Sequence, residues 1–236
     1  MTYEELRHAL SQEGVPLSEE QLKSLELYIS LLAAATRRMN LTAIEDEAEM
    51  VRKHLLDSLL VVPHLPSRGS LLDVGSGAGL PGIPLAVAVP GLRVTLLDSI
   101  TKKVGFLKEA ISGMSLGDRV KALSERAEKA GHFADMRESY DVVISRAVAR
   151  LNVLSEYCLP FVRVGGRFLA MKGPAGEQEA AEAEEAIALL GGRIAGVHLW
   201  QLPGGGEQRS LVIIQKCKNT PIGYPRRDGL PAKNPL

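Results

Sequence analysis

From Ser70 onward the chain alternates two kinds of segment, and that alternation restricts the fold more than any other feature. Short apolar runs occur at Leu71–Val74, Val94–Leu97, Val120–Leu123, Val142–Ile144 and Phe168–Met171, each bounded by polar or glycine residues. Helical stretches lie between them, near 80–88, 101–112, 126–136, 150–158 and 175–190. Strands that are apolar throughout and separated by helices predict a parallel sheet covered on both faces. Two further runs, Ile194–Leu199 and Leu211–Ile214, are joined through Pro203-Gly204-Gly205-Gly206. A short connection suits an antiparallel pair, so these predict a hairpin at the sheet edge. The expected fold is α/β, a doubly wound, seven-stranded, mostly parallel Rossmann-like sheet.

Ahead of it, residues 1–66 predict a helical extension packed on the core. Thr2 with Glu5, and Ser18 with Gln21, have capping-box spacing. Leu22, Leu25, Tyr28, Ile29 and Leu32 recur at helical spacing, in a helix that ends near Arg37-Arg38. Residues 67–218 form the α/β domain. Residues 219–236, rich in proline and glycine and without a core pattern, predict an extended basic tail.

Composition narrows the class. The chain has 236 residues, 28 basic and 28 acidic, so its formal charge is zero and it is no generic polyanion binder. Charge is uneven, however. Glu177, Glu179, Glu182, Glu184 and Glu185 cluster, whereas the C-terminal segment carries Lys216, Lys218, Arg226, Arg227 and Lys233. Nucleic acid therefore stays open as a partner. Cys158 and Cys217 are far apart and make neither a disulfide framework nor a metal cluster. His8, His64, His132 and His198 lack metal-ligand spacing, and no metal is expected. Without a basic, apolar leader or a bilayer-length apolar run, the expectation is a cytoplasmic protein with no membrane attachment.

Directly after the first strand of the alternating region stands Asp73-Val74-Gly75-Ser76-Gly77-Ala78-Gly79. Glycines there permit a tight strand-to-helix turn and close approach of a ligand to bare backbone. The next strand ends at Asp98, where a carboxylate can accept hydrogen bonds from both ribose hydroxyls of a nucleoside. Residues 77–82 also satisfy the dinucleotide pattern G-x-G-x-x-G. The register opposes that reading, because the strand ends at Val74 and Pro81 removes an amide hydrogen that a pyrophosphate would use. No G-x-x-x-x-G-K-[ST] is present, which excludes a P-loop kinase. A tight turn with no ligand is the bland alternative.

The D-x-G-x-G-x-G form and the terminal hairpin are similar to those of class I S-adenosylmethionine-dependent methyltransferases. A narrower resemblance rests on several blocks. These are Asn40-Leu41-Thr42-Ala43, His54-Leu55-Leu56-Asp57-Ser58-Leu59, Gly79-Leu80-Pro81-Gly82-Ile83-Pro84, and Leu96-Leu97-Asp98-Ser99 with Lys102-Lys103. Ile144-Ser145-Arg146-Ala147, Met171-Lys172-Gly173 and Tyr224-Pro225-Arg226-Arg227 complete them. Together they resemble the bacterial 16S ribosomal RNA guanine-N7 methyltransferase family, RsmG or GidB. The resemblance implies an S-adenosylmethionine cofactor and methyl transfer to a guanine of the decoding-centre loop. It implies 16S ribosomal RNA or a small-subunit assembly particle as partner to a monomeric chain. It also places Leu80, Asp98, Ser99, Ala127, Glu128 and Arg146 around the cofactor, beside Asp73, Gly75, Gly77 and Gly79 of the turn. Glu125-Arg126-Ala127-Glu128 departs from the family's more usual Ser-Arg-Val-Glu.

The residues are compatible with that chemistry. Guanine N7 has a free lone pair and no proton to lose, so its methylation needs alignment more than a general base. Exocyclic amine methylation often uses an Asp/Asn-Pro-Pro-aromatic block after the fourth strand, and Ser145-Arg146-Ala147 occupies that place. Arg146 is the candidate catalytic residue, acting by position at the carboxyl end of a buried strand. Its bland role is an ion pair with Asp98 or Glu128. Arg37, Arg38, Lys102, Lys103, Lys172, Arg226 and Arg227 are candidate RNA phosphate contacts, with solvated surface charge as the plain alternative. His54 and Asp57, one helical turn apart, predict a structural hydrogen-bonded pair, or else a border of the target pocket. Cys158 and Cys217 are expected to be packing residues. A methyltransferase acting on a small molecule, and a non-catalytic nucleotide-binding ribosome-associated module, are the competing readings.

Overall fold

The computed structural model describes residues 1–146 and 148–236. Helices α1 (Tyr3–Gln12) and α2 (Glu19–Met39) begin at the two expected capping boxes, with Glu5 N donating to Thr2 Oγ1 and Gln21 N to Ser18 Oγ. A third helical passage joins α3 (Glu47–Met50), a π-helical stretch Val51–Leu56 and α4 (Asp57–Leu59). Then follow β1 (Arg68–Val74), α5 (Gly82–Ala88), β2 (Gly91–Asp98), α6 (Thr101–Gly113), β3 (Val120–Ser124), α7 (Ala127–Ala130) and β4 (Tyr140–Arg146). The rest is α8 (Leu151–Cys158), β5 (Val162–Lys172), α9 (Gly176–Glu182), α10 (Glu184–Leu189), β6 (Gly192–Gln201), β7 (Gln208–Lys216) and α11 (Leu230–Lys233).

All seven strands form one sheet in the order β3-β2-β1-β4-β5-β7-β6. The first five are parallel, and β7 runs antiparallel between β5 and β6, so the last two form the expected edge hairpin. Strand side chains alternate between two cores, as the period of two requires. Leu71, Leu96, Val142, Ile144, Leu169 and Leu211 pack with α1, α2, α5 and α6 on one face. Leu72, Leu97, Val143, Phe168 and Val212 pack with α8 and α10 on the other. The N-terminal helices thus complete one layer of the sandwich.

Three expectations are corrected. The helix near 126–136 is only α7, and turns follow Gly131. The helix near 175–190 breaks at Ala183 into α9 and α10. Residues 219–236 are no extended tail but pack back across α7 and α8. Arg137 donates to the carbonyls of Thr220 and Tyr224, His132 Nε2 meets Pro225 O at 2.8 Å, and Asn152 Nδ2 donates to Leu236 O. Gly131 makes room for this strap, since a Cβ there would stand 2.8 Å from Pro225 Cγ. The strap is invisible to pattern because polar side chains and backbone carbonyls hold it, without hydrophobic period.

Candidate functional site

In this sheet order the crossovers diverge on either side of β1, where β1 lies between β2 and β4. Open α/β sheets bind ligands beyond the carboxyl ends of strands at such a point. Here β1 runs into the glycine turn, with Gly75, Gly77 and Gly79 at φ +75°, +57° and +96°. These left-handed values favour glycine. Two of these glycines also have a spatial role. A Cβ on Gly75 would come within 2.5 Å of Val148 Cγ2, and one on Gly79 within 2.5 Å of Ile83 Cδ1.

The turn is braced from three sides. Asp98 Oδ2 accepts from Gly77 N at 2.8 Å, and Oδ1 accepts from Ile100 N at 2.8 Å. Behind it, the fully buried Tyr28 of α2 donates from its hydroxyl to Ala78 O at 2.8 Å. Ser145 Oγ donates to Val74 O at 2.7 Å, tying the carboxyl ends of β4 and β1 together. Asp73, expected at the cofactor, lies fully buried beneath the turn and accepts from Gly82 N at 2.9 Å. It therefore supports the turn rather than facing the space above it. Leu80 likewise belongs to the hydrophobic core.

Above the turn opens a cleft of about 300 Å³. Gly75, Asp98, Ser99, Ala127, Glu128 and Arg146 line it together, as does Lys103. Val148 and Tyr157 also line it, as does Ile100, without having been singled out in the sequence. Nothing short of the fold could have found them, since an exposed valine or isoleucine and a helical tyrosine carry no motif. Glu128 is nearly buried, and its Oε1 accepts from Gly229 N of the strap at 3.0 Å.

Arg146 ends β4, and its Nη1 stands 3.3 Å from Asp57 Oδ2. The ion pair expected with Asp98 or Glu128 is therefore made with Asp57 instead. The expected His54–Asp57 pair is also absent. His54 Nε2 meets Thr42 Oγ1 at 2.9 Å, while Asp57 lies between Arg146 and Arg209. Burial and the Arg146 charge push the His54 imidazole down to about 4, so it is neutral at pH 7. Burial pushes Asp57 up, and the two arginines oppose that shift. Ala147, the last residue of its sequence block, lies outside the described residues.

The candidate RNA contacts divide. Arg37, Arg38, Lys102 and Arg227 are exposed. Lys172 is not: its Nζ lies 2.8 Å from Glu179 Oε2 and donates to Ala149 O at 2.6 Å. Arg226 grips the fully buried Glu156 with Nε and Nη2, at 2.6 to 3.0 Å. Both are internal struts, for which the sequence showed no partner. Cys158 is buried as expected, whereas Cys217 is exposed and is no packing residue.

A mostly parallel sheet with an inserted antiparallel β7, a glycine turn after β1 and a carboxylate ending β2 define the class I S-adenosylmethionine-dependent methyltransferases. The solved structures agree on the fold. A putative transferase from Pyrococcus horikoshii superposes with TM-score 0.56 at 14% identity, over 69% of this chain and 63% of that one. TYW2 from M. jannaschii, in complex with AdoMet, gives 0.51 at 14% identity, over 64% and 70%. Sequence then fixes the family. The family model described as GidB, rRNA small subunit methyltransferase G, matches residues 21–211. Relatives named ribosomal RNA small subunit methyltransferase G are 47% identical in Pelotomaculum thermopropionicum, over 99% of this chain and 98% of theirs, and 48% identical in Moorella thermoacetica, over 94% and 93%. The chain belongs to the rRNA small subunit methyltransferase G family.

Proposed function

We propose that this chain transfers a methyl group from S-adenosylmethionine to N7 of a guanine in the decoding-centre loop of 16S ribosomal RNA. The observation that carries the reading is the cleft itself, where open glycine backbone, the Asp98 carboxylate and Arg146 meet at the switch point. The residues suit the donor. Gly75 leaves the backbone bare, Asp98 retains acceptor capacity for ribose hydroxyls, and Ser99, Ala127 and Glu128 bound the far side. Asp98, Glu125 and Glu128 line the cleft together with Lys103, Arg126 and Arg146, a mixed charge that suits a ligand bearing both signs, as the sulfonium and amino-acid end of S-adenosylmethionine do. When bound, S-adenosylmethionine supplies an electrophilic methyl group on a sulfonium centre.

The protein's own contribution is alignment. N7 needs no general base, and neutral His54 and paired Asp57 leave Arg146 as the polar group between the cleft and the acceptor side. A-form RNA hides N7 in a deep, narrow groove, so the guanine is presented from a loop or extruded. Arg37, Arg38, Lys102 and Arg227, with Lys103 at the cleft, supply phosphate contacts. We take 1–66 as the extension, 67–218 as the catalytic unit and 219–236 as the strap. The chain works as a monomer in the cytoplasm on 16S rRNA or an assembling small subunit; among the described residues, no helix is long and apolar enough to cross a membrane.

The test uses small subunits from a strain lacking the gene, labelled cofactor and purified enzyme. Label should enter 16S rRNA at one guanosine, and borohydride–aniline treatment should cleave the chain there, as it does at N7-methylguanosine. Label in RNA without such cleavage would move the methyl to another atom; cofactor binding with no transfer would leave a binding module.

A further inference from the structure

On the side of Arg146 away from the glycine turn lies a second cavity, of about 420 Å³. His54, Asp57, Arg146, Trp200 and Arg209 contribute to its lining. Among the described residues, six buried side-chain polar atoms lack a hydrogen-bond partner. Three of them, His54 Nδ1, Asp57 Oδ1 and Trp200 Nε1, belong to residues of this one cavity. Asp57 and His54 are only 4% and 8% exposed. Arg209 Nε stands 3.3 Å from Asp57 Oδ1 but out of hydrogen-bonding alignment. Unpartnered buried polar atoms are costly, and Asp57 Oδ1, held by Arg209 through charge alone, keeps acceptor capacity for a donor-bearing ligand.

Guanine has the matching order of groups across its ring. One edge presents N1–H and the N2 amine as adjacent donors, which a carboxylate can accept together. O6 follows, an acceptor for a guanidinium. N7 comes next, on the opposite edge. In the structure the same order runs from Asp57, through Arg146 bonded to Asp57 Oδ2, to the cleft that Arg146 also lines. Adenine would set its N1 lone pair against the carboxylate, and pyrimidines have no N7.

We propose that this cavity is the acceptor-base pocket, in which Asp57 selects guanine by accepting from N1–H and the N2 amine while Arg146 donates to O6. The assignment rests on the reading of the protein as a guanine-N7 methyltransferase. Asp57 is a specificity residue here, and it leaves the N7 edge turned toward the methyl donor.

The experiment compares 16S RNA substrates bearing guanosine, inosine or 7-deazaguanosine at the methylated position, with wild-type enzyme and Asp57→Asn. Inosine lacks the N2 amine, so wild-type kcat/KM should fall about tenfold or more, the worth of a hydrogen bond to a charged group. Asp57→Asn should lose a similar factor on guanosine RNA, discriminate less between guanosine and inosine, and keep its cofactor Kd. A purely structural role for Asp57 would lower both rates and leave their ratio unchanged, which overturns the proposal. Equal wild-type rates on guanosine and inosine overturn it without recourse to any variant. Methylation of 7-deazaguanosine RNA would instead remove the N7 reading and, with it, the ring orientation assumed here.

Discussion

Asp73 and Asp98 stand on neighbouring strands, β1 and β2, and do different work because they face different surroundings. Asp98 lines the cleft while its oxygens accept from Gly77 N and Ile100 N. Asp98→Asn keeps the volume but removes the charge and sets an NH2 against the amide of Gly77 or Ile100, so cofactor affinity should fall about tenfold or more, measurable by calorimetry. An unchanged Kd would take Asp98 out of the site. Asp73 is sealed in, with Oδ1 unpartnered, and burial pushes its carboxyl up to about 7. An unfolded aspartate releases its proton near pH ~4. Between those values the folded state holds more protons, so stability falls as pH rises through the window, by at most about 1.4 kcal/mol per unit. Asp73→Asn lacks this slope. Its Tm should gain on the wild type from about pH 4 to about 7 and then level off; a flat difference would show that burial does not oppose ionisation. The acid at 73 and the glycines were legible because few residue types tolerate that turn. What Asp73 faces was not, since spacing alone does not say which side of a turn is wet.

Elements differed in how openly they announced themselves. The inner strands were readable because a strand covered on both faces must be apolar at nearly every position, as Val142, Val143 and Ile144 are. The edge strands β3 and β6 are largely uncovered and were read from short apolar runs between turns. Of the passage 47–59 only His54 to Leu59 is recognisable, as one sequence block, because the π-helical turn shifts the register by which helices are read. That passage delivers Asp57 to Arg146, and Arg52 from the same stretch bridges Glu49 to Glu207 in the β6–β7 connection. The strap left no such trace. Arg226→Ala should leave the Glu156 carboxylate buried with little besides the Arg226 amide, at a cost of about 3 kcal/mol. Thermal melting would show the drop. A normal Tm with weakened RNA binding would return Arg226 to the surface role that its sequence suggests.

At the scale of the whole molecule, zero net charge means that attraction to RNA must come from local patches rather than from the sum. Charge reversal at Lys102 and Arg227 should weaken rRNA binding and leave the cofactor Kd intact. For every phosphate that the altered protein no longer neutralises, the slope of log affinity against log salt should become shallower by about 0.7–0.9. An unaltered slope would mean that neither side chain touches the backbone. The strap has a consequence at this scale too. Gly229 hangs on Glu128, and Glu128 is also a wall of the cleft. Whatever steadies one side of that carboxylate must, by reciprocity, steady the other. Deuterium uptake at the far end of the polypeptide should therefore slow when methyl donor is added, making the last residues a remote gauge of occupancy.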